Sequence, residues 1–75
     1  MTATEFNRLK EHGRVSILSE QGVLIEEKLG SKHLIKIYSI PGFFVEVWLG
    51  IKKLKLQKVQ ALEKETKRTS YLNNL

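Results

Sequence analysis

The chain predicts an α+β fold, an antiparallel four- to five-stranded meander sheet with a short N-terminal helix and a C-terminal helix. Three observations lead there. Short apolar stretches alternate with period two, most clearly from Phe43 to Leu49, as pleated strands do. Gly13, Gly22, Gly30, Gly42 and Gly50 separate the patterned stretches at intervals of eight to twelve residues, the rhythm of strands joined by tight turns. Thr2 and Glu5 have the Thr-x-x-Glu spacing of a helix capping box.

Taken in order, the first segment is a short helix that Gly13 would end with a left-handed residue. Phe6 and Leu9 form its narrow apolar stripe, so it depends on docking against the sheet. Val15 and Ile17 then alternate with Ser16 and Leu18, and Val23 and Ile25 with Leu24 and Glu26. With Glu20-Gln21-Gly22 between them they predict a hairpin. Gly30-Ser31-Lys32 is a second turn, followed by a strand through Ile35 and Ile37. Pro41-Gly42 suits the central positions of a type II turn and leads into the most strand-like run, Phe43 to Leu49. A fifth strand over roughly 53 to 61 follows, with a parity shift, and so a bulge, near Gln57 and Lys58. A helix over roughly 63 to 74 closes the chain, anchored by Tyr71, Leu72 and Leu75. The alternative is a single helix from about 52 onward, which no proline forbids.

Collected by parity, one sheet face holds Val15, Ile17, Val23, Ile25, Ile35, Ile37, Phe43, Val45 and Val47, an apolar core face. The other is mixed and includes Leu24, Leu34, Lys36, Tyr38, Phe44, Glu46 and Trp48. Something covers part of such a surface.

Composition bounds the function. The 75 residues fit one domain, 1–75, which buries only about 60% of its unfolded surface. Without cysteine there is no disulfide framework and no thiolate metal site, as in a cytoplasmic protein held by its core or by a second subunit. Neither a secretory leader nor a membrane-spanning run is expected, and no membrane partner. All eight acidic residues are glutamates, so aspartate-rich Ca²⁺ and Mg²⁺ sites lose their usual ligands. The net charge of +5 arises wholly after residue 51, where Lys52, Lys53, Lys55, Lys58, Lys64, Lys67 and Arg68 face only Glu63 and Glu65. That asymmetry points to an anionic partner or to a solvated basic surface.

Phe43 to Trp48 (FFVEVW), the basic strand ending KVQAL at Lys58 to Leu62, and the tail YLNNL at Tyr71 to Leu75 form a distinctive series. It resembles a group of small uncharacterised proteins of Bacteroidetes, which look like a short helix, an antiparallel meander and a C-terminal helix. The resemblance covers mainly residues 34 to 75 and implies the fold; it carries no catalytic residue across. Leu54 to Leu56 (LKL) departs from the polar turn the group would have there.

Catalytic chemistry is not written in the chain. His12 and His33 have no partner at metal-ligand spacing, and no cofactor is implied. No elbow motif activates Ser16, Ser19, Ser31, Ser39 or Ser70. Gly30-Ser31-Lys32 lacks the first half of a phosphate-binding P-loop. Glu26 and Glu27, adjacent on a strand, point to opposite faces and cannot flank one substrate. What survives is a contact surface in which Lys36 and Tyr38 lie beside Phe44, Glu46 and Trp48 across a strand pair. The leading expectation is a non-catalytic interaction module, a homodimer joined through the mixed face or an edge strand. The alternative is a single-stranded DNA or RNA binder that stacks bases on Tyr38, Phe44 and Trp48 and contacts phosphates with Lys36, Lys52, Lys53, Lys55 and Lys58.

Overall fold

The structure is a computed structural model that describes residues 1–62. The helix expected over 63–74 lies outside the described residues. Helix α1 spans Ala3–Arg8 and starts in the expected capping box. The Thr2 hydroxyl accepts from the Glu5 N–H at 3.1 Å, and Glu5 Oε1 accepts from the Thr2 N–H at 2.7 Å. Two otherwise orphaned donors are satisfied reciprocally.

Gly13 does not end this helix. Leu9 and Lys10, with ψ of 155° and 165°, are extended and break it, and Gly13 falls inside a second helix, α2, at Glu11–Gln21. The strand expected around Val15 and Ile17, and the hairpin at Glu20-Gln21-Gly22, are therefore replaced by helix. A four-residue apolar run fits both periods, and packing decides between them. At helical spacing Arg14, Ile17 and Leu18 share one side and are half-buried, while Val15 is exposed. Gly22 then lets the chain turn directly into the sheet. A Cβ there would stand 2.7 Å from the Leu18 carbonyl oxygen, too close for any side chain.

Four strands follow, β1 at Val23–Leu29, β2 at His33–Ile40, β3 at Phe43–Gly50 and β4 at Leu56–Leu62, antiparallel and in meander order. Gly42 has φ +98°, the conformation a type II turn requires after Pro41. The last strand begins at Leu56 rather than 53, after a turn in which Leu54 takes φ +50°. Its pairing with β3 removes the alternative of a helix running through 52–62. Trp48 pairs with Lys58 but Leu49 with Leu56, so Gln57 is the bulged residue and the parity shift falls where the sequence puts it. A second bulge leaves Ile25 without a direct partner between Leu24 and Glu26.

Both α1 and α2 lie on one face of the sheet, so that the described residues form two layers around one core. Phe6 from α1 meets Phe43 at 5.6 Å between ring centroids, among Ile40, Val45, Val47, Val59 and Ala61. Phe6 and Val45 are fully buried, and each such side chain stabilises the fold by about 1.5 to 3 kcal/mol. Ile17, Leu18 and Tyr38 close the rim of this cluster.

Phe43, Val45 and Val47 face the core as expected, but Ile35 and Ile37 do not join them. Across the Pro41-Gly42 turn Ile40 pairs with Phe43, so even positions on β2 stand opposite odd positions on β3. Tyr38 thus shares a face with Val45, and Lys36 with Val47, whereas Ile37 lies beside Glu46 and Ile35 beside Trp48. A two-residue turn inverts parity between its strands. Val23 and Ile25, also expected in the core, are exposed on β1.

Candidate interaction edge

The register splits the expected contact surface in two. Lys36 and Tyr38 are on the helix-covered face, where Lys36 Nζ lies 3.5 Å from Glu27 Oε2 of β1. Phe44 and Trp48 are on the opposite face and Lys58 joins them from β4, while Lys52, Lys53 and Lys55 sit in the turn before β4. No single surface holds all eight.

Around Trp48 a small polar and aromatic cluster forms. His33 meets the indole edge-on with centroids 5.1 Å apart, and Lys58 Nζ stands 5.1 Å from the ring centroid. The same ammonium lies 3.4 Å from Glu46 Oε1, whose side chain is almost fully buried. The cation thus serves a buried carboxylate and an aromatic face together. Ile37, Glu46 and Leu62 on this face are buried and Trp48 is half-buried, so the indole is not a free platform.

The two outer strands differ in how their free backbone groups are treated. An edge strand exposes a row of N–H and C=O groups that invites a further strand. On β4 side chains from the helices occupy part of that row, at Val59 and Ala61. The Asn7 amide donates to the Ala61 carbonyl at 3.2 Å, and its Oδ1 accepts from the Ala61 N–H at 2.9 Å, reproducing a strand partner with one side chain. Arg14 donates from Nη1 to the Val59 carbonyl at 2.6 Å, from Nη2 to the Asn7 carbonyl at 2.6 Å and from Nε to the Leu9 carbonyl at 2.9 Å. One guanidinium holds the α1 terminus, the break and β4 together.

No side chain among the described residues caps Val23, Leu24 or Ile25 of β1 in that way. That strand instead presents Val23, Leu24, Ile25 and Leu29, which are 63%, 43%, 47% and 73% exposed. It has no proline. Sequence reasoning missed Arg14 because it gave α2 no helical identity, and Asn7 because its partner Ala61 lies 54 residues away on β4. The open edge also escaped it, since the strand order that places β1 outermost requires the helix to replace a preceding strand.

Among the described residues no group of three His, Cys, Asp or Glu side chains could hold a metal ion, and no helix is long and apolar enough to cross a membrane. No family model matches the chain, and no curated protein or solved structure matches it.

Proposed function

We propose that the protein is a non-catalytic interaction module that self-associates by pairing β1 with β1 of a second copy. The single observation that carries this reading is the contrast between the edges: β4 is capped by Asn7 and Arg14, while β1 leaves four apolar side chains in solvent. Antiparallel pairing about a two-fold axis satisfies the same backbone groups on both copies and covers the same apolar side chains twice. A second copy is the partner whose edge is complementary by construction. The mixed face is the weaker route, because Ile37, Glu46 and Leu62 there are already buried. A chain without cysteine suits the cytoplasm.

Single-stranded nucleic acid as partner draws less support, with Tyr38 separated from Trp48 by the sheet and the indole engaged by His33 and Lys58. Light scattering at high micromolar concentration tests self-association. The expected mass is twice the chain's 8.7 kDa, falling to one chain in the Ile25→Lys/Leu29→Lys double variant with an unchanged circular dichroism spectrum. A monomeric wild type refutes the proposal, and a dimer that survives both substitutions refutes the edge.

A further inference from the structure

At the end of the sheet that carries the β1–β2 turn and the turn before β4, a half-open cavity of about 580 Å³ is lined by Lys32, Lys52, Lys53 and Lys55, with Ser31 and Gln57. We infer that this cavity is a binding site for an anion with closely spaced phosphates, a di- or triphosphate group. Lys32 joins three lysines from a different loop, a convergence that only the meander produces.

Three features carry the inference. The backbone of both loops is fixed: the Ile51 N–H donates to the Lys32 carbonyl at 3.2 Å, the Gly50 N–H to the Lys55 carbonyl at 2.9 Å, and the Gly30 N–H to the His33 carbonyl at 2.8 Å. The lysine stems therefore start from set positions rather than from a loose tail. Next, the charges are not neutralised. Lys36 and Lys58 each lie beside a glutamate, whereas among the described residues no carboxylate stands within ion-pairing distance of Lys32, Lys52, Lys53 or Lys55. Among the described residues no acidic side chain lines the cavity either. Four like charges around one concavity repel one another, and a multivalent anion relieves that repulsion while the low-dielectric walls focus the field. Third, the lining residues carry, at the ends of apolar stems, groups of the kind that bind phosphate. Ammonium groups act on phosphate as point charges, and the Ser31 hydroxyl and Gln57 amide add neutral donors. The volume lies in the range of small-molecule sites.

A compact ligand and the backbone of a nucleic acid strand both supply clustered phosphates, so the experiment separates them. The ¹⁵N-labelled full chain is titrated with inorganic tripolyphosphate and, in parallel, with single-stranded oligothymidylate at equal phosphate and ionic strength. The expected result is saturable shifts with tripolyphosphate, confined to the amides of 30–33 and 50–57. Loss of two of the four charges in Lys32→Gln/Lys53→Gln should weaken binding by about tenfold or more, and Arg8→Gln, at an exposed cation on α1 that does not line the cavity, should leave it unchanged. Shifts that stay linear, that sodium chloride reproduces, or that Arg8→Gln reduces equally overturn the site. Saturation with the oligonucleotide alone overturns the compact ligand. Self-association is not required, and the Ile25→Lys/Leu29→Lys variant should bind tripolyphosphate as the wild type does.

Discussion

Replacing Arg14 by methionine keeps an unbranched apolar stem on α2 and removes three hydrogen bonds. The guanidinium donates to the carbonyls of Leu9, Val59 and Asn7 at 2.9, 2.6 and 2.6 Å. A bond to a charged donor contributes about 1.5 to 3 kcal/mol. Arg14 is only half-buried, so water reaches the freed carbonyls and the net loss is nearer about 1 kcal/mol for each bond. The variant should therefore lose about 2 to 3 kcal/mol, a large share of the roughly 4 to 11 kcal/mol expected for a domain of this size. With a urea dependence of about 1 kcal/mol per molar, the midpoint should fall by about 2 to 3 M. Trp48, the single tryptophan and half-buried, reports the transition by fluorescence. Wild type and variant are compared at one fixed protein concentration, because self-association adds to apparent stability. Arg14→Lys should not rescue, since one ammonium cannot reproduce a planar fork aimed at three carbonyls. A loss below about 0.5 kcal/mol, the range of ordinary surface substitutions, or full rescue by lysine would refute the clamp.

Asn7→Ala should cost about 1 to 2 kcal/mol and, by uncapping Ala61, raise the apparent mass in light scattering above that of the wild type. Unchanged mass would show that β4 is closed to partners by other means. Gly22→Ala places a Cβ 2.7 Å from a backbone oxygen and should destabilise by about 1 to 3 kcal/mol in the same urea assay. A neutral result would mean that the α2–β1 junction gives way freely. Lys58→Met leaves the Glu46 carboxylate buried without its cation, and Lys58→Met/Glu46→Gln should recover most of the lost stability, as measured by a double-mutant cycle. A loss in the double variant equal to the sum of the Lys58→Met and Glu46→Gln losses would show no coupling between the two.

The capping box, the Pro41-Gly42 turn, the alternation of β3 and the bulge near Gln57 were legible in the sequence because each is local, a matter of spacing between neighbours. The parity inversion across Pro41-Gly42 was also written there, since a two-residue turn pairs a residue with the one three positions on. Ile40 opposite Phe43 is enough to move Tyr38 away from Trp48. The segment from Glu11 to Gln21 was different. Its few apolar side chains satisfy strand and helix alike, and what selects the helix is long-range, with Ile17 and Leu18 against the sheet and Arg14 on a strand 45 residues away. That outcome makes β1 an outer strand and lets Asn7 and Arg14 close the opposite edge. By itself, then, the sequence determined where the chain turns and which stretches extend. Only the tertiary structure decided which edge stays open and which lysines converge, because strand order and loop proximity are properties of the whole sheet rather than of any window along it.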